Sequence, residues 1–433
     1  MIPAVDVSVV EARLAGARAR REEAPLPWWL RTTPLIRRSR RFAHRAVLAR
    51  ACALLLPAGC GGGAGRSAVS VRDSAGIRIV EAAAPAWPEG GGWRLSAEPR
   101  VAIGAAEGAE ENQLFQVGGV SRFADGRIAV VNGGSSELRI YSAEGRHLQS
   151  IGREGAGPGE FRFPRTLWLL AGDSLLVVDL DKLSWFDGAG AFVRSEPLGN
   201  PRPMLRFADG SYLGLAFAPG EDFYAPGQVR QRVSLLRSRP AGAPDTLAIL
   251  AGDDAYRLSH DRGISVYAVP FGLRRALAVH EMSVYTGDGS AFEVAVLDTA
   301  GRVTLIARRP DTDRTVTPAD VRRYGEIRLG ALPAAAPDDR VRRVLREAKV
   351  PATKPAWDQL VVDAAGGAWI RHFALERDAP ATWSVFDAEG RWLGEIGMPV
   401  HFEVKEIGAD YVLGTWTDEL GVEYVRLYDL EKG

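Results

Sequence analysis

From about residue 70 to the end of the chain, short stretches of alternating apolar and polar residues are punctuated by glycine at recurring intervals. Alternation over four to eight residues marks half-buried strands, and the punctuation marks the turns between them. One turn recurs almost unchanged: Ile140-Tyr-Ser-Ala-Glu-Gly145, Trp185-Phe-Asp-Gly-Ala-Gly190, Val296-Leu-Asp-Thr-Ala-Gly301 and Val385-Phe-Asp-Ala-Glu-Gly390, with a frayed copy at Leu427-Tyr-Asp429. An acid or serine, two residues and a glycine make a tight turn in which glycine supplies the positive φ. A second turn lies about fifteen to twenty residues earlier in each copy, at Ala124-Asp-Gly126, Ala171-Gly-Asp173, Ala208-Asp-Gly210 and Ala364-Ala-Gly366. Each unit therefore reads as a meander of four strands.

The glycine anchors Gly145, Gly190, Gly301 and Gly390 are spaced 45, 111 and 89 residues apart. The gap of 111 takes two units, the weaker one at Met204–Leu250, and the gap of 89 takes one unit plus an insertion. Six innermost strands are expected: Val117–Phe123, Leu167–Leu170, Leu205–Phe207, Leu273–Ala278, Trp357–Val362 and Phe402–Ile407. Four-stranded units of this length dispose of their sheet edges by radial repetition, so the expected fold is all-β, a six-bladed β-propeller with four-stranded antiparallel blades over residues 71–433. The last blade needs an outermost strand from the N-terminal side, either Gly76–Val80 or Trp93–Ile103, and that tie closes the ring.

The insertion, residues 317–355, is predicted to be helical. Thr317 suits a cap, Pro318 the first helical position and Asp320 the first turn, so a short helix is expected over Val321–Leu329. A second begins at Asp338-Asp339 and carries Val341, Val344 and Leu345 on one face before Pro351 and Pro355.

Gly152-Arg-Glu-Gly-Ala-Gly-Pro-Gly-Glu-Phe161, closed by Phe163-Pro164, bridges two units and suits neither helix nor strand interior. It resembles the glycine-rich junction of NHL-type repeats, and residues 71–433 resemble the six-bladed β-propeller lipoproteins of environmental bacteria. The resemblance implies an exported or envelope-associated propeller and supplies no reaction.

Composition changes the picture mainly at the N-terminus. With 46% apolar and 25% charged residues the chain is ordinary for a globular protein. No apolar run reaches the roughly 18–20 residues of a bilayer span. Residues 1–50 hold eleven arginines and no lysine against four acidic residues, which leaves the rest net acidic. An acidic body argues against a nucleic-acid partner, and the basic head reads as a targeting element. Arg37-Arg38-Ser-Arg40-Arg41, the apolar run Ala51–Leu56 and Pro57-Ala58-Gly59-Cys60 have the layout of a secretion signal. Ala-Gly-Cys resembles a lipobox, although Pro57 and Arg50 depart from that pattern; the resemblance implies lipidation of Cys60. Residues 1–34 exceed such a signal, and a start near Leu35 is expected.

Residues 1–60 are thus assigned to the signal and 61–70 to a flexible tether. Cys52 and Cys60 are the only cysteines, so disulfides, thiol catalysis and cysteine-ligated zinc are excluded from the body. The expected protein is a monomer in the cell envelope, touching the membrane only through its lipid.

In a four-strand meander, blade junctions and second-to-third strand loops share one face, while the short glycine turns share the other. The long, varied connections are where binding residues are expected, with the insertion as a partial lid over the channel. Candidates from second-to-third strand loops are Asn132, Asp179, Asp181, Lys182, Tyr224, His280, Glu281, Arg371, His372 and Asp418; those from junctions are Arg153, Glu154, Glu160, Arg162 and Arg165. Axial oxygen ligands raise the possibility of calcium, as in lactonase-like propellers. Channel carboxylates, however, commonly pair with arginines. His280 and His372, expected at equivalent positions of two blades, suit acid/base or ligand roles, against the commoner solvated loop histidine. Glu160 and Arg162 suit an anion or partner, or simply pin their junction. Gly155–Gly159 lacks the Gly-Lys-Ser/Thr of a phosphate loop, and no Gly-x-Ser-x-Gly or His-Glu-x-x-His occurs.

Three readings stand. The preferred one is an envelope-anchored module that binds an unidentified ligand or envelope protein through its long-loop face. The alternatives are a divalent-cation-dependent lactonase or lyase, and a carbohydrate binder using tryptophan platforms.

Overall fold

A computed structural model describes residues 69–239, 242–261, 263–332 and 338–433. The signal, Cys60 and residues 61–68 of the tether lie outside the described residues. Six antiparallel sheets follow one another along the chain. Blade 1 comprises Val117–Arg122, Ile128–Asn132, Glu137–Tyr141 and His147–Ile151, and blade 2 comprises Thr166–Leu169, Leu175–Val178, Lys182–Phe186 and Phe192–Pro197. Blade 3 comprises Leu205–Arg206, Tyr212–Phe217, Gly227–Ser238, Asp245–His260 and Gly263–Ala268. Blade 4 is built on Ala276–His280, Ser283–Gly287, Glu293–Leu297 and Val303–Arg308; blade 5 on Trp357–Val362, Ala368–His372, Ala381–Phe386 and Trp392–Met398. Blade 6 has Phe402–Ile407, Tyr411–Thr417 and Glu423–Glu431 from the C-terminal end.

The recurring turn has a direct physical basis. The Asp298 carboxylate accepts from the backbone N–H of Ala300 and of Arg302, and Asp187 does the same for Ala189 and Ala191. In blade 1 the Ser142 hydroxyl takes over this role for Glu144 and Arg146. Gly390, at φ +85°, closes the copy in blade 5. Side-chain acceptor and glycine together satisfy the turn backbone, which is why this spacing survives while the strands around it vary.

Inner strands of successive blades touch: blade 1 against 2, 3 against 4, 4 against 5, 5 against 6, and 6 against 1. Blades 2 and 3 meet through Trp168 and Tyr212, whose rings lie 5.7 Å apart. The core is distributed between blades rather than gathered at one centre. Phe161, fully buried, fills the space between blades 1 and 2 with its ring 5.7 Å from Phe186. Trp369 and Trp383 are buried between blades 5 and 6, and a Trp87–Trp93–Trp369 series continues that packing outward.

The ring closes on the N-terminal side, as the unfinished last blade requires. Arg94–Leu95 and Val101–Ile103 pair antiparallel with Glu423–Glu431. The other candidate went elsewhere: Ile77–Ala82 pairs parallel with Val303–Arg308, and Val69–Ser74 folds back antiparallel on it. This hairpin extends blade 4 to six strands and begins within the last two residues assigned to the tether. Blade 3 also departs from expectation. It runs to Ala268 rather than Leu250, because the pair Gly227–Ser238 and Asp245–His260 is two to three times the usual strand length.

The insertion forms helices α1 (Pro318–Gly330) and α2 (Asp338–Glu347). Thr317 and Asp320 make the reciprocal cap: the Thr317 hydroxyl accepts from the Asp320 N–H, and the Asp320 carboxylate accepts from the Thr317 N–H at 2.8 Å. Val341 and Val344 of α2 are buried, and Val344 packs with Tyr256 and Leu258 of blade 3 and with Val269 just after it.

Two outcomes follow. A chain starting at residue 84 lacks only the hairpin on blade 4, whereas one starting at residue 105 lacks both closing strands. Thermal melting is expected to stay cooperative in the first and to fall by on the order of 10 °C or more, with a broadened transition, in the second; identical melts contradict the closure. The second outcome concerns α1. Lys354 and then the Thr317 N–H hold the Asp320 carboxyl down at about 2 against 3.8 for a free one. Its depressed value means that the cap is intact above about pH 4 and is lost as pH falls toward 2. Amide exchange over residues 318–330 is expected to accelerate in that window ahead of the blades.

Candidate functional site

Chain direction assigns the faces. Every blade junction and every second-to-third strand loop emerges at one end of the ring, including the short Asp418–Gly421 turn of blade 6, and the first-to-second and third-to-fourth strand turns emerge at the other. The insertion connects the last strand of blade 4 to the first of blade 5, so it belongs to the long-loop end. There Tyr324 of α1 stacks 5.2 Å from Phe271 in the blade 3–4 junction, and Phe271 in turn lies 6.1 Å from Phe373 in the blade 5 loop. An Arg323–Glu376 ion pair adds a second tie between α1 and that loop. The helix thus spans from the blade 3–4 junction to blade 5, the position expected of a lid.

Most of the sequence candidates on this face serve the fold. Asp179 is 1% exposed, and its carboxylate accepts from the N–H groups of Arg162, Phe163 and Leu180 at 2.6–2.8 Å. Asp181 pairs with Arg162 at 3.0 Å. The Glu160 carboxylate folds back onto the Gly157 N–H and Arg153, which is why Gly155 and Gly157 tolerate no side chain. The Lys182 ammonium donates to the Gly157 carbonyl. The glycine-rich junction is therefore a self-satisfied plug that seats Phe161 between two blades. Asn132, also buried, accepts from the Phe115 N–H and donates to Ser135. Asp418 caps its own turn by accepting from Leu420 and Val422.

The two histidines are not equivalent. His372 ends the second strand of blade 5, on the long-loop side, and packs edge-on against Phe292 with Nε2 2.8 Å from the Ser384 hydroxyl. Burial holds it below an ordinary histidine, with Glu395 opposing and Arg309 reinforcing the shift. His280 ends the first strand of blade 4, and Glu281 lies in the turn that follows. Both stand at the short-turn end, against the expectation that placed them with the long loops. The first strand of blade 4 starts at Ala276 rather than Leu273 and carries through His280, so its turn comes later than expected.

At the channel mouth the structure brings the candidate Arg371 together with residues that the sequence did not single out, Asp358, Arg377, Glu403 and Lys405. In blade 5 the pairing slips between Trp357 and Gln359, leaving Asp358 as the extra residue of a bulge; blade 6 slips the same way at Lys405. Such bulges re-aim a side chain where pairing is interrupted. The Asp358 carboxylate accepts from Arg371 Nε at 2.7 Å and from Arg377 Nη2 at 3.4 Å. Glu403 pairs with Lys405 at 3.2 Å. Arg371 is 6% exposed, and its Nη2 is buried without a hydrogen-bond partner. Burial in the mouth and the adjacent charge of Arg371 lower the Arg377 guanidinium; Asp358 and Glu403 oppose the shift, and Arg274 adds to it. Charged residues interrupting otherwise apolar inner strands, Asp358 and Glu403-Val-Lys405, were the available signal.

This donor set does not suit calcium, which takes six to eight oxygen ligands. The axial carboxylates are already engaged by cations, and no three His, Cys, Asp or Glu side chains gather as a ligand set among the described residues. The described tryptophans are all buried or half-buried, so they form no exposed sugar platform. Asp179→Ala is expected to cost about 2–4 kcal/mol in denaturant unfolding, because three buried N–H groups lose their acceptor. Glu160→Ala, whose ion pair with Arg153 is largely solvated, is expected to cost less. Unchanged stability in the Asp179 variant contradicts its structural role.

A family described as a 6-bladed beta-propeller, DUF5128, matches residues 107–199, which span blades 1 and 2 and the junction between them. No curated protein matches the sequence. Among solved structures, an exported protein of Bacteroides fragilis aligns at 10% identity over 79% of this chain and 95% of its own, with a TM-score of 0.45. A DUF4221 member from Bacteroides vulgatus aligns at 11% identity over 79% and 99%, TM-score 0.43. The calcium-binding protein regucalcin of Agrobacterium tumefaciens aligns at 14% identity over 75% and 93%, TM-score 0.35. The family match covers two blades, the chain's own topology supplies six sheets with each blade packed against the next, and the protein is a six-bladed β-propeller.

Proposed function

We propose that this propeller is a binding module of the cell envelope, anchored through Cys60, that receives its ligand or partner on the long-loop face. One observation carries the reading. Among the described residues, the exposed aromatic side chains Phe115 (60%), Phe217 (47%) and Tyr224 (72%) and the most exposed leucine, Leu420 (86%), all stand at the long-loop end, while the exposed Leu148 and Val193 lie within outer strands beside the short turns. None occurs in the short turns of the other face. Exposed aromatic and leucine side chains on a rigid frame are costly to leave in water and are typical anchors for a partner. The rival cation-dependent enzyme lacks this support, since arginines occupy the carboxylates that a metal would need.

The test compares the two faces. A photo-crosslinking residue at Tyr224 or Leu420 is expected to give discrete adducts with a solubilised envelope extract, while the same residue at Ala300, in a short turn, gives none. Adducts of equal yield from both faces contradict the assignment.

A further inference from the structure

We infer that the channel mouth beside α1 is a site for a single oxyanion group, a carboxylate or phosphate carried by a small molecule. The inference rests on the reading of the long-loop face as the binding face and names the chemistry recognised there.

Three facts support it. Two guanidiniums, Arg371 and Arg377, converge on one carboxylate, Asp358, and the nearby Glu403 is paired with Lys405, so three cations face two carboxylates. Arg274 lies near enough to raise the local positive potential further and is itself held only at 3.9 Å by Asp253. Arg371, with 7% of its side chain exposed, keeps a buried Nη2 that no protein atom satisfies. A buried guanidinium nitrogen without an acceptor is costly, and planar arginine forks match carboxylate and phosphate oxygens in pairs.

The geometry also indicates how a ligand is accommodated. Arg377 holds Asp358 by one 3.4 Å contact and keeps 57% of its side chain exposed, so it is the arm free to turn toward an incoming anion. Arg371 stays bound to Asp358 at 2.7 Å and acts as the fixed part of the cradle. Tyr324 of α1, half-buried against Phe271, lies in the field of Arg274 and Arg328, which places the helix beside the same positive region. The converging groups have the footprint of one oxyanion.

Citrate and inorganic phosphate serve as probes in calorimetric titrations at low ionic strength. Saturable binding of at least one is expected, weakened by added salt. Arg377→Gln and Arg274→Gln, both on half-exposed side chains, are expected to lower affinity roughly tenfold or more. Arg391→Gln, on the short-turn face, is expected to leave affinity unchanged. Arg371→Lys keeps the charge but loses the fork; it is expected to weaken binding with the melting temperature monitored alongside. Preference for citrate or for phosphate identifies which oxyanion the cradle fits. Absence of binding by either probe, or equal affinity in wild type and both glutamine variants, overturns the site. The crosslinking comparison at Tyr224 and Ala300 needs no anion, so it fails or succeeds independently.

Discussion

Three strands from the C-terminal region, Phe402–Ile407, Tyr411–Thr417 and Glu423–Glu431, form the inner part of the last blade. Its outer edge, Glu423–Glu431, would otherwise present unpaired backbone groups to water and to other chains. Residues 94–103 cover that edge, and in doing so they tie the two ends of the propeller together. Inter-blade packing then has a closed circle to act in. Val101 and Ile103 join the cluster of blades 6 and 1, while Trp93 and Leu95 join that of blades 5 and 6. The same constraint gives the molecule two unlike ends, since a closed ring of identical meanders must send its junctions one way and its tight turns the other.

That asymmetry separates structural chemistry from chemistry open to a ligand. On the long-loop face most charged groups are consumed by backbone: Asp179 satisfies three N–H groups, and Glu160 and Lys182 hold the glycine-rich junction. At the mouth two arginines share Asp358, and one of the buried guanidinium nitrogens without an acceptor, Arg371 Nη2, stands there. Exposed Phe115, Tyr224 and Leu420 on the rim add apolar anchors. A charged recess within an apolar-studded rim fits a binding protein better than a metal-dependent catalyst.

The readable part of the fold was local. The Asp-x-x-Gly turn is visible because its acid and its glycine satisfy the same few backbone groups, and the Thr317–Asp320 cap because both partners lie within one turn. Phe161 could be placed at a junction but not recognised as a plug, since the cluster it joins is drawn from two blades, from Phe123 to Phe186. Ile77–Ala82 went to blade 4 rather than blade 6 because parallel addition to an outer edge leaves no local pattern. His280 ends an inner strand and so stands at the short-turn end, although the sequence pattern places it among the second-to-third strand loops. The mouth was harder still: the Asp358 bulge and its arginines exist only once strands are in register.

Closure of the ring is the claim on which both faces depend, and a disulfide across the seam tests it. Ala102 and Arg426 are cross-strand partners, and both native cysteines precede the described residues. With Cys52 and Cys60 replaced by serine, the Ala102→Cys/Arg426→Cys chain is expected to oxidise readily to one intramolecular disulfide and to melt at a higher temperature than its reduced form. Two thiols that stay free and reactive in the folded, oxidant-treated protein would show that the N-terminal strands do not complete the last blade.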